Sequence, residues 1–183
     1  MPILTPSRAV ALNIIALGAV ALVLVAAFAA QLLLHELPCP LCLLQRIMFA
    51  LLAIGPVLNI RFGPRPSHYA LSLLVAVGGA VVSTRQVLLH IMPGDPGYGT
   101  ALLGYHYYTW ALIGFVAAIA LIAAVLTSDR QFEPAPQPVT GTMARVAVWL
   151  VIGLVTLNVA STFVECGLAA CADNPVVYEL LTR

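Results

Sequence analysis

Apolar residues run from 9 to 34 with only Asn13 and Gln31 interrupting them, and four more such runs follow at about 43–60, 69–89, 108–126 and 144–164. Each is close to the ~17–25 residues that carry a helix across a ~30 Å hydrocarbon layer. Polar and turn-forming residues separate them. Arg61-Phe62-Gly63-Pro64-Arg65-Pro66 is a short basic turn, and His90 to Gly104 reads as a loop through Pro93, Gly94, Pro96, Gly97 and Gly99. Tyr105, Tyr107, Tyr108 and Trp110 make an interfacial aromatic belt ahead of the fourth run. Pro134, Pro136 and Pro138 favour an extended linker before the fifth. Ala76, Gly79, Ala80 and Ser83 offer a small-residue stripe for close helix contact. Ala27-Phe28-Ala29 resembles a signal-peptide cleavage site, but the run around it exceeds the ~7–15 residues of a signal core. The pattern predicts an all-α membrane protein, one domain over 1–183, with five crossings and a tail from Glu165.

Composition agrees. The chain is 62% hydrophobic and only 8% charged, against about 25% charged residues in a soluble domain. A net charge of +1 without a single lysine supplies no basic patch for nucleic acid. Arg8, Arg61, Arg65, Arg130 and Arg145 fall on one side of the predicted crossings, and Arg46, Arg85 and Arg183 on the other. The excess belongs in the cytoplasm, so the amino terminus is expected inside and the carboxyl terminus outside.

The candidate chemistry is sulfur. Cys39 and Cys42 form a Cys-Pro-Leu-Cys loop where the second span begins, and Cys166 and Cys171 follow the fifth. Five crossings deliver both pairs to the same outer face. A helix starting near Pro40 puts Cys42 in its first turn, where free N–H groups favour a thiolate, and Arg46 lies one turn further along that face. Three readings of the first pair remain: a structural disulfide, half of a four-thiolate metal site, and a redox-active pair, the last favoured by the helix start and Arg46. For the second pair, a bridge stapling the tail competes with an exposed, flexibly mounted disulfide open to attack by a soluble thiolate. Arg46 either snorkels or faces a thiolate or the oxygen of a reduced cofactor; Arg85 snorkels on the same grounds. His90 is either an interfacial histidine with no role or a hydrogen-bond partner for a cofactor carbonyl. His35, His106 and Glu36 support no separate claim.

Pro38-Cys39-Pro40-Leu41-Cys42 with Gln45-Arg46, Arg85-Gln86-Val87 with His90, and Leu103-Gly104 before Trp110 resemble the bacterial inner-membrane disulfide bond formation protein family, DsbB, over residues 9 to 126. The resemblance implies a four-helix bundle, here with an additional fifth transmembrane helix. It implies a quinone-dependent thiol oxidase that reoxidises a periplasmic thioredoxin-like DsbA-type protein and passes electrons to a membrane quinone, ubiquinone or menaquinone. Carried over by position, Cys42 meets the quinone with Cys39 as its partner, Arg46 stabilises the thiolate–quinone charge-transfer state, and His90 lines the same site. Cys166 and Cys171 depart from the family pattern, in which the second pair lies between the third and fourth spans. A vitamin-K-epoxide-reductase-like oxidoreductase and a non-enzymatic metal-holding membrane protein are the alternative readings.

Overall fold

The computed structural model describes residues 4–133 and 141–182. The expected linker prolines Pro134, Pro136 and Pro138 lie outside the described residues. Proline sets three of the helix starts, because a residue without an N–H and with φ already fixed fits the first turn. Helix α1 spans Pro6–Leu33, α2 opens at Pro40 and runs to Leu52, α3 spans Ile54–Phe62, and α4 spans Pro66–Leu89. A two-strand hairpin, β1 (Ala101–Leu102) with β2 (Tyr105–His106), then precedes α5 (Tyr107–Leu126). Helix α6 covers Thr142–Cys166. Taken with α2 and α3 as one crossing, five helical segments are long and apolar enough to span a membrane.

The second crossing is not the single helix that its hydropathy predicts. Pro56 cannot donate to the Leu52 carbonyl, so the ladder breaks at Ala53, and Ser72 Oγ of α4 donates to the freed Leu52 oxygen at 2.9 Å. The loop expected from His90 to Gly104 also gains structure. Leu103 and Gly104 both take positive φ, which suits the tight turn of the hairpin.

Helix α4 packs against α2, α3 and α5, whereas α1 packs against α2, α3 and α6. Phe115 of α5 is wholly buried; it stacks on Phe49 of α2 at 4.1 Å and lies directly on Gly79 of α4, where any Cβ would enter its ring. The small-residue stripe thus brings α4 and α5 together, as in other membrane bundles. Large apolar side chains such as Leu22, Leu74, Leu121 and Val159 point outward, as an apolar solvent allows.

Both polar interruptions of α1 are buried and bonded. Asn13 donates to Tyr69 Oη at 2.9 Å and accepts from Asn59 Nδ2 at 3.0 Å, and Asn59 Oδ1 meets His68 Nδ1 at 2.9 Å and the Arg65 amide at 3.1 Å. This knot ties α1, α3 and α4 at one end of the bundle. Gln31 serves the opposite end, where the cysteines are.

Candidate redox site

Cys39 caps α2: its Sγ accepts the Cys42 backbone N–H at 3.1 Å, one of the donors that a helix start leaves unpaired. Cys39 and Cys42 are joined as a disulfide with Cα atoms 4.9 Å apart. Gln86 of α4 is wholly buried against this pair, its Nε2 lying 3.3 Å from Cys39 Sγ and 3.5 Å from Cys42 Sγ. Gln45 in turn donates to Gln86 Oε1 at 3.0 Å, which fixes the amide with its N–H groups toward the sulfurs. A donor aimed at a sulfur favours its anionic form. Gln45 and Gln86 stand in the stretches quoted for the family resemblance, yet no spacing rule marks either as a neighbour of sulfur.

Arg46 takes a different course from the sequence expectation. Its guanidinium bonds to α1 rather than to the Cys42 sulfur, donating from Nη1 to Gln31 Oε1 at 2.7 Å and from Nη2 to the Ala27 carbonyl at 2.9 Å. The Phe28 ring lies beneath it, 5.8 Å from centroid to Cζ. Among the described residues the guanidinium is thus neither loose at the interface nor bonded to a sulfur; α1 supplies its acceptors.

The second pair is held more firmly than the exposed, flexible mounting expected of it. Cys166 is the last residue of α6 and is buried, while Cys171 is half-buried; their disulfide has Cα atoms 4.8 Å apart. Gly167 at φ 64° turns the chain out of the helix. The tail then folds back, and the amides of Glu179 and Leu180 donate to the carbonyls of Glu165 and Val164 at 3.1 and 3.2 Å. That return delivers Tyr178 Oη to Gln31 Nε2 at 3.1 Å, and the same amide donates to Ser161 Oγ of α6 at 2.9 Å. One glutamine therefore joins Arg46 on α2 to α6 and the tail. Both disulfides lie at the same end of the bundle.

The loop after α4 closes over the first pair. Tyr98 Oη donates to the Leu37 carbonyl at 2.6 Å, and the Thr100 amide donates to Glu36 Oε1 at 2.8 Å. Burial above all raises the Tyr98 phenol above its ordinary pKa, so it remains a donor throughout the neutral range. His90 is engaged elsewhere: its Nδ1 meets Asp95 Oδ1 at 3.0 Å and its ring stacks on Tyr108. Among the described residues no hydrogen bond connects it to the Arg46 network. Arg85 lines an outward groove of about 560 Å³ between α4 and α5, with Val77, Val81 and Ile119, and no cysteine borders it.

Asp95 orders this loop. The Gly97 amide, at 2.7 Å, and then His90 hold its carboxyl below the usual carboxylate range. A depressed folded pKa means that its contribution is complete above the ordinary aspartate value and is lost as pH falls through the lowered one. Hydrogen exchange at the Gly97 amide is therefore expected to accelerate only in that acid window beyond its intrinsic pH dependence. The Asp95→Ala variant should show the fast rate at every pH, corrected in the same way.

Comparison with known proteins follows this geometry. Residues 8–98 match the family "Disulfide bond formation protein DsbB", a stretch that contains Cys39, Cys42, Arg46, Gln86 and His90 but not the tail pair. The chain is 37% identical over 90 residues to disulfide bond formation protein B 2 of Burkholderia lata, covering 48% of this chain and 54% of that one. It is 28% identical over 152 residues to disulfide bond formation protein B 1 of Pseudomonas syringae, covering 64% and 90%. With disulfide bond formation protein B of Xanthomonas axonopodis the identity is 40% over 63 residues, covering 32% and 37%. The chain thus spans about half the length of the Burkholderia relative. No solved structure matches it significantly. Cysteines closed into two disulfides, five membrane-length helices and the match over residues 8–98 agree, and the chain belongs to the DsbB family of disulfide bond formation proteins.

Proposed function

We propose that this protein is a quinone-dependent thiol oxidase of the bacterial inner membrane. Its substrate is a DsbA-type dithiol protein of the periplasm, and its electrons leave on a membrane quinone. The observation that carries this reading is the Gln31 bridge, which holds the cation beside the first disulfide and the helix bearing the second at one end of the bundle.

A partner thiolate attacks Cys171, the more exposed sulfur, forming a mixed disulfide and releasing the electron pair on Cys166. The second partner thiol resolves that bond, and the reduced tail pair transfers its two electrons to Cys39–Cys42. Cys42 is then the sulfur that faces the acceptor, with Cys39 as its partner. A quinone bound here supplies the two-electron, two-proton chemistry. The residues fit such a group: Arg46 has five N–H donors, of which two are engaged by the described residues, leaving others for an acceptor oxygen. His90 is carried over as a second contact, which requires its ring to leave Asp95.

Four sulfurs could also hold a metal, but they are bonded pairwise, and no group of three metal-ligating side chains comes together among the described residues. The amino terminus is cytoplasmic and the carboxyl terminus periplasmic in this reading. A membrane-impermeant thiol reagent applied to intact spheroplasts after reduction is expected to label both pairs. Labelling of one pair only after the cytosol is opened would break the relay.

A further inference from the structure

Glu165 is the most costly residue in the bundle to explain by packing. It is 2% exposed, in the last turn of α6, and neither carboxyl oxygen has a hydrogen-bond partner among the described residues. An unpaired charge in such a place is destabilising by several kcal/mol, and water or a paired cation ordinarily relieves it. Arg46 is the cation within electrostatic range, yet no contact within 4 Å joins the two among the described residues. The guanidinium has only two of its five N–H donors engaged among the described residues, both by α1. A carboxyl with no partner and a cation with spare donors thus lie within electrostatic range of one another without a direct contact. Around them stand Tyr178 from the tail, Tyr98 from the loop and neutral Gln31 from α1, together with the neighbouring Cys166. Glu165 and Arg46 thus offer an unpartnered carboxyl and spare N–H donors at one end of the bundle.

We infer that Glu165 is the proton donor for an acceptor oxygen held at Arg46, so that α6 supplies the acid of the site as well as the second cysteine pair. The inference rests on the oxidase reading above. Arg46 holds the oxygen, and Glu165 delivers a proton to it as electrons arrive from the Cys39/Cys42 dithiol. The balance is simple. The dithiol loses two electrons and two protons as its S–S bond re-forms, and the acceptor gains two of each, becoming a quinol. Glu165 provides one of those protons and the water phase the other. Glu165 is then recharged from the outer water on the side where Tyr98 lies, and the two protons leaving the dithiol make up what was drawn. A carboxyl protonated in the resting state also removes the cost of burying its charge.

The test uses the full chain in lipid nanodiscs, comparing wild type with Glu165→Gln and Glu165→Asp. Glutamine keeps the volume and cannot give up a proton. Both variants are expected to retain both disulfides and to bind a short-chain ubiquinone as the wild type does. Single-turnover reoxidation of the reduced Cys39/Cys42 pair by that ubiquinone should slow by about 10²-fold in Glu165→Gln, the lower end of acid–base contributions. Its pH profile should flatten, and Glu165→Asp should recover part of the rate. Independently of turnover, the infrared spectrum of the protein without quinone should contain a protonated-carboxyl band that Glu165→Gln lacks. Wild-type rate and pH profile in Glu165→Gln, or no difference in that band, would overturn the inference while leaving the oxidase reading intact. If wild type itself fails to pass electrons from the dithiol to ubiquinone, the oxidase reading is what fails.

Discussion

Oxidation of a soluble dithiol partner is expected to vanish in the Cys166→Ser/Cys171→Ser variant, while the Cys39–Cys42 bond and quinone binding survive. The reasoning is geometric. Each pair has one buried and one half-buried cysteine, Cys39 with Cys42 and Cys166 with Cys171, but the first is held against Gln86 of α4 and beside the loop that Tyr98 ties to Leu37. A folded partner can present its thiolate to an edge of the protein but not beneath a strap. Exchange also requires in-line access to a sulfur. A small dithiol has no such restriction, so dithiothreitol should still reduce Cys39–Cys42 in the double variant and drive quinone reduction. The measurement compares partner oxidation and dithiothreitol oxidation in the same preparation. Full-rate partner oxidation by the double variant would show that the tail pair is not the entry point.

Replacement of Arg46 has the second large expected effect. Arg46→Met should slow reoxidation of the Cys39/Cys42 dithiol by quinone by about 10²–10³-fold, the usual consequence of removing a donor aimed at developing negative charge. Arg46→Lys should recover little, since a single ammonium cannot reach both Gln31 Oε1 and the Ala27 carbonyl in the fork that arginine makes. There is a structural cost too. Truncation strands those two acceptors, at roughly 1–3 kcal/mol each where they are buried. Stopped-flow absorbance of quinone at saturating concentration separates the two effects, because a merely loosened bundle weakens binding whereas loss of the cation slows the step itself. Equal rates in Arg46→Met and wild type would remove Arg46 from the chemistry.

Much of this architecture is written plainly in the chain. Proline at the first turn of α1, α2 and α4, the glycine after Cys166, and five apolar runs give the crossings to within a few residues. Hydropathy averages over a window, however, and so it misses what one residue does to one carbonyl. Pro56 sits in an apolar run and breaks it into two helices, with a serine from another helix taking up the loose oxygen. The candidate site was legible in the positions of its cysteines and less so in their neighbours. Periodicity places Arg46 on the Cys42 side of α2, but its long side chain bends to α1, where Gln31 waits. Gln86 and Glu165 were beyond reach for a further reason. Whether a buried amide or carboxyl meets sulfur, cation or nothing depends on which helices become neighbours, and α6 meets α1 and α2 across more than a hundred residues of chain. The tail's return depends on two backbone amides, for which no side-chain pattern speaks.

The placement of α6 has one more implication. Helices α2 to α5 close around Phe115 and Gly79 without it, and α6 lies against α1 and α2. In the proposed relay the entry pair therefore rides on a helix outside the α2–α5 cluster. In that relay, client preference can change at the exposed residues around Cys171 without touching Glu165 or the Gln31 bridge that ties α6 to the acceptor end.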